Sequence, residues 1–174
     1  MLEVFPLESR ANSPETLFSP APGATARRLT LTREVSVPQI DVNWLAIIVA
    51  AVAAFALGAL WYSPPLFGRQ WMTAHGHTPE KLAAMQSSMG KTYAFSFITY
   101  VIMAMVIALL MGLTGATTAT QGIVLAVLAW LGFGFTIGLN SNLYSDKPAA
   151  AFMIDAGYQL VHVILMGAII GAWR

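Results

Sequence analysis

The stretch Asp41 to Trp71, DVNWLAIIVAAVAAFALGALWYSPPLFGRQW, decides how the rest of the chain can fold. Its first part, Val42 to Tyr62, is an uncharged apolar run, and about 20 such residues suffice to cross a bilayer as a helix. Trp44 stands at one end and Trp61 with Tyr62 at the other, where amphipathic rings favour the headgroup boundary. Ala46, Ala50, Ala54 and Gly58 recur every fourth residue, forming one small-residue stripe on which a second helix can pack closely. Ser63-Pro64-Pro65 then ends the helix, because proline has no backbone N–H to donate. The chain reads as an integral membrane protein.

The whole sequence has the same character. Hydrophobic residues make up 57% and charged residues 10%, with a mean hydropathy of +0.66, far from the averages of soluble domains. A net charge of +1 supplies no concentrated basic face, so nucleic-acid binding is not expected. Cysteine is absent, which removes disulfides and thiolate chemistry. A chain of 174 residues has room for one compact bundle, and no repeat recurs at solenoid spacing.

Residues 1–40 stand apart from that bundle. Pro6, Pro14, Pro20, Pro22 and Pro38 fall here among Ser, Thr and scattered charges, without sustained apolar periodicity. Such a segment buries too little apolar surface to offset its ordering entropy. No apolar run follows a basic start, so it is not a secretory signal. Three readings are open: a disordered tail, a misassigned start, or a short docking segment.

Residues 41–174 form a four-span transmembrane domain, an all-α four-helix bundle. After the first span, Thr78-Pro79-Glu80 offers a hydroxyl cap, proline at the first position and an acid favoured by the helix dipole. Leu82, Met85 and Met89 follow at helical spacing with Gly90 as a stop. A short amphipathic helix at the membrane surface is the expectation. The second span covers Tyr93 to Leu113, with Ala104, Ala108 and Gly112 as its small-residue stripe. Thr114 to Thr120 is a short turn, which suits antiparallel neighbours. The third span covers Gln121 to Asn140 with Gly134 and Gly138 at GxxxG spacing, and Asn140 to Pro148 forms a loop. The fourth covers Ala149 to Trp173, where Gly167 and Gly171 repeat that spacing. Helix packing is therefore expected at Ala50, Ala54, Gly58, Gly134, Gly138, Gly167 and Gly171. Arg10, Arg27, Arg28, Arg33 and Arg174 fall on one side and Arg69, Lys81, Lys91 and Lys147 on the other, which leaves orientation open under the positive-inside rule. Without residues 1–40, the count favours both termini away from the cytoplasm.

Ionisable groups within the spans are few, and the fourth span holds the informative ones. Asp155, Tyr158, Gln159 and His162 share one face, and Asp155 and His162 lie about 10 Å apart along the axis at ~1.5 Å per residue. Lipid offers this stripe no partners, so it should point into the bundle. Intramembrane ionisable groups are functional candidates, yet an interhelical hydrogen-bond ladder would use the same residues. The starts and ends of the spans gather Tyr62, Ser63, Lys91, Tyr93, Asn140, Asn142 and Asp155 on one membrane face. That polar bundle end could hold a small solute or a headgroup, or be the solvated end of four helices. A carboxylate at that depth needs compensation, and Lys91 or Asn140 is the expected partner of Asp155.

His75, His77 and Glu80 have a zinc-like composition, but Gly76 and Pro79 loosen the segment and no further ligand is evident. No metal or other cofactor is expected. The nine methionines mostly sit in apolar runs, where Met fills irregular gaps. No nucleophile motif, phosphate-cradling loop or paired carboxylate is present, so catalysis is not expected.

The stretch from Asn43 to Trp71, taken with DAGYQLVHVILMGAIIGAW in the fourth span, resembles the bacterial small membrane proteins grouped as domain of unknown function 1761. The residues carrying the resemblance are Asn43-Trp44, then Trp61-Tyr62-Ser63-Pro64, then Leu66-Phe67-Gly68, then Trp71. Pro65 departs from the pattern and allows for an exit turn one residue longer. The resemblance covers about Asp41 to Arg174 and implies a multi-span protein of the bacterial cytoplasmic membrane, with no activity attached. The sequence therefore favours a structural or accessory bundle that associates with itself or with a partner membrane protein through its small-residue faces. The alternative is a minimal proton- or ion-coupled transporter or channel using Asp155 and His162.

Overall fold

The computed structural model describes residues 41–78, 80–81, 84, 89–145 and 148–174. The tail expected before Asp41, in each of its three readings, lies outside the described residues. Within them the structure is helical, with no strand.

Helix α1 spans Trp44–Trp61. Asn43 caps it: its side-chain oxygen accepts from the Ala46 amide at 3.1 Å, satisfying one of the orphan donors of the first turn. A short helix α2, Gly68–Ala74, follows the proline turn and was not expected. Helix α3 spans Met89–Thr114. Helix α4 runs Ala119–Leu143 and contains a π-helical stretch, Trp130–Phe135. Helix α5 is Ala149–Ala172. The four helices α1, α3, α4 and α5 are long and apolar enough to cross a membrane, as the sequence predicts.

Three boundaries differ from expectation. Gly90 is no stop but the second residue of α3, because the apolar run behind it carries the helix through one glycine. Helix α4 starts at Ala119 on a capping box, in which Thr118 and Gln121 satisfy each other's backbone amides. It also continues past Asn140 to Leu143, which shortens the expected loop. Of the expected surface helix, Glu80, Lys81 and Ala84 are helical, and the Thr78 hydroxyl accepts from the Lys81 amide at 3.3 Å. The Glu80 carboxyl is held below its ordinary range by its own backbone amide and by the Thr78 side chain. Leu82 and Met85 lie outside the described residues.

Helix α5 is the hub and packs on α1, α3 and α4. Ala46, Ala50 and Ala54 are buried, as are Ala104 and Ala108 on α3, so these small residues lie on the inner faces of their helices. Ile47, Met111 and Met166 fill the space between them. Gly167 and Gly171 lie against α4: a Cβ on Gly167 would strike the Gly122 backbone, and one on Gly171 would strike Thr118 and Ala119. Leu45, Val52, Phe95, Ile102 and Leu128 point outward, as suits side chains facing hydrocarbon rather than water.

The expected packing role of Gly134 and Gly138 is half corrected. Gly138 does meet α5, since a Cβ there would lie 3.2 Å from the Phe152 ring. Gly134 is exposed, and its nearest neighbour is the Trp130 side chain of its own helix. The close backbone approach falls at Gly122 instead. A π-helical turn carries an extra residue, which rotates everything after it by about 100°, so GxxxG spacing across it does not mark one face.

Candidate functional site

The site begins where the chain leaves α1. The Phe67 amide donates to the Trp61 carbonyl and the Gly68 amide to the Ser63 carbonyl, both at 3.1 Å, so the chain folds back on its own helix end. Gly68 is buried, and a Cβ there would run into the carbonyl oxygens of Tyr62 and Ser63. Only glycine fits. This turn starts α2 in the direction that brings Trp71 beside Tyr62, ring centroids 5.6 Å apart.

The two rings converge on helix α5. The Tyr62 hydroxyl and the Trp71 Nε1–H each donate to Asp155 Oδ1 at 2.8 Å. Trp61 Nε1–H donates to the Ile154 carbonyl at 3.2 Å, and its ring packs on Phe67 at 4.5 Å. The Trp-Tyr…Phe-Gly…Trp pattern is thus a clamp on the start of α5. The expected tie of Asp155 to Lys91 or Asn140 is not formed: both residues are exposed, and neutral aromatic donors from the first loop occupy the carboxylate. Ser63 turns back to its own helix, donating to the Leu60 carbonyl. Of the expected polar bundle end, the structure brings together Tyr62 and Asp155 alone.

One turn deeper stands Tyr158, 6% exposed. Its hydroxyl bonds the Ala54 carbonyl at 3.0 Å and the Tyr100 hydroxyl at 2.9 Å. With one proton per hydroxyl, Tyr158 donates to the carbonyl and accepts from Tyr100. The missing side chain of Gly58 makes room for this approach, since a Cβ there would lie 2.8 Å from the Tyr158 oxygen. A further turn on, His162 is 2% exposed, with Nε2 3.3 Å from Met103 Sδ. Its ring lies 4.8 Å from Tyr158 and 5.6 Å from Tyr100. Gln159, exposed at the residue level, accepts from Trp130 Nε1–H at 3.4 Å.

These groups face a cavity of about 890 Å³. Helix α3 contributes Tyr100, Met103, Val106 and Leu110. Helix α4 contributes Trp130, Phe133, Gly134, Gly138 and Ser141. Asp155, Tyr158, Gln159 and His162 all line it, with Tyr62, so the stripe read from sequence forms one continuous wall. The cavity exists because α4 meets α5 tightly at Gly122 and then enters its π turn, none of whose residues is buried. Such turns recur at functional sites, and the volume lies within the range of ligand pockets. Apolar walls with one carboxylate and several hydroxyls suit an amphiphilic small molecule.

His75 and His77 stack 5.8 Å apart outside the cavity. His75 lies 4.2 Å from Trp71 and its Nδ1 contacts the Trp71 carbonyl at 3.0 Å. Among the described residues no three His, Cys, Asp or Glu side chains gather as a metal site would require.

The family model described as protein of unknown function (DUF1761) matches residues 45–171. The chain belongs to the DUF1761 family. In this DUF1761 chain the match takes in the clamp, the cavity and all four apolar helices. No curated protein and no solved structure matches it.

Sequence reasoning did not reach Tyr100, Met103, Trp130 or Gly122. Trp71 was legible as part of a motif but not as a partner of Asp155. The available signal was the burial requirement itself: a carboxylate needs donors, and Tyr62 and Trp71 are donors that the glycine turn can deliver.

Proposed function

We propose that this protein is a membrane-embedded binding protein for a small amphiphilic molecule, held in the cavity between α3, α4 and α5. The observation that supports it is the joining of Asp155, Tyr158, Gln159 and His162 in one cavity of about 890 Å³. A ladder that only tied helices together has no use for a hollow of this size beside it, one within the range of ligand pockets. We assign the protein to a bacterial cytoplasmic membrane and assign it no reaction. The accessory reading loses its main support, since its small-residue faces at Ala50, Ala54, Gly167 and Gly171 are consumed within the bundle. Native mass spectrometry of protein purified from its membrane tests the proposal. A bound small molecule is expected in wild type and in Val52→Trp, which alters an outward residue. It should be lost in Val106→Trp, which fills the cavity. Identical spectra for the two variants would contradict the reading.

A further inference from the structure

Resting on that reading, we propose that the ligand is an organic cation, its positive centre at Asp155 and its apolar body between α3 and α4. Among the described residues Asp155 carries the only acidic side chain lining the cavity, and no lysine or arginine lines it. Its Oδ1 is held by two neutral donors, Tyr62 and Trp71. Such donors orient the carboxylate and bring no positive charge to it. Oδ2 receives no hydrogen bond from any described residue, so one face of the carboxylate is left for a ligand.

The walls discriminate further. Tyr62, Tyr100, Trp130, Phe133 and Tyr158 present aromatic rings to the cavity, and the faces of such rings attract cations. An anion would meet a carboxylate and find no fixed positive charge. An inorganic divalent cation would need several oxygen ligands, whereas the described lining offers one carboxylate, with the Tyr62, Tyr100 and Tyr158 hydroxyls already bonded within the protein. A cation wrapped in carbon satisfies both the charge and the surface.

The test uses the full-length protein in lipid nanodiscs and two probes of equal shape and opposite sign, tetraphenylphosphonium and tetraphenylborate, in equilibrium dialysis. Saturable binding of the phosphonium is expected, weakened about tenfold or more in Asp155→Asn and equally in Val106→Trp. Saturable borate binding as tight as that of the phosphonium would overturn the proposal, as would unchanged phosphonium affinity in a helical Asp155→Asn protein. If Asp155→Asn does not fold, the decision falls on Val106→Trp, where unchanged phosphonium affinity overturns it. A purified molecule displaced by Val106→Trp, together with no phosphonium binding, would sink the cation class and leave the cavity reading standing.

Discussion

At one end of the bundle α4 and α5 touch backbone to backbone through glycine; at the other they meet through side chains and line a cavity. The closed end joins Gly122, Gly167 and Gly171 backbone to backbone. It is tied off by Asn43, which donates to the Trp173 carbonyl at 2.9 Å, and by Arg174, whose guanidinium donates to the Ala116 and Ala108 carbonyls at 3.1 and 3.0 Å. The open end has aromatic rings where the closed end has glycines, and there Ile154 and Asp155 of α5 bond to Trp61, Tyr62 and Trp71, at the end of α1 and beyond it, rather than to α4. The same pair of helices thus serves as a joint in one half and as the walls of a site in the other. Small residues give close approach, whereas a π turn with Gly132 and Gly134 keeps the second half of α4 from filling the gap.

The largest effect should come from breaking the joint. Gly167→Leu forces a side chain into the α4 backbone and should cost about 3 kcal/mol, the upper part of the range for overpacking. Gly132 has nothing within 4 Å of a built Cβ, so Gly132→Ala in the open half should change stability by less than about 0.5 kcal/mol. Unfolding in mixed micelles, followed by helical circular dichroism, measures both. Equal losses would erase the distinction between the two ends.

A smaller effect is expected at the turn that builds the clamp. Gly68→Ala sets a Cβ against two carbonyl oxygens, and should lower stability by about 1–3 kcal/mol. It should also expose Trp71, whose emission would shift to the red. A stable protein with an unshifted spectrum would mean that the clamp does not depend on this turn.

The smallest effect belongs to the clamp's individual bonds. Tyr62→Phe should cost about 0.6 kcal/mol, the mean for hydrogen bonds between membrane helices. In an Asp155→Asn background the same change should cost less. A double-mutant cycle with no coupling would show that the Tyr62–Asp155 bond contributes nothing to the bundle.

The spans and the stripe on α5 were legible because each follows from one local rule: apolar length for the spans, and helical periodicity with lipid exclusion for the stripe. The partners of Asp155 were not. Charge pairing pointed to Lys91, but Trp71 reaches Asp155 only through a turn that glycine alone can make, and such turns are set by steric contacts between residues distant from the acid. The Gly134–Gly138 spacing misled for a related reason, since α-helical periodicity breaks wherever a π turn intervenes. The cavity is a property of three helices at once, and no window of sequence contains it.

The difference between the two ends is tested most directly by thiol labelling, because the native chain contains no cysteine. Single cysteines at Gln159, on the cavity wall, and at Ala126, in the closed half and 2% exposed, would be treated with a small water-soluble maleimide in membranes. The Gln159→Cys protein should react much faster than Ala126→Cys, and Val106→Trp should slow it. Equal rates at the two positions, or a Gln159→Cys rate indifferent to Val106→Trp, would contradict an accessible cavity in the open half.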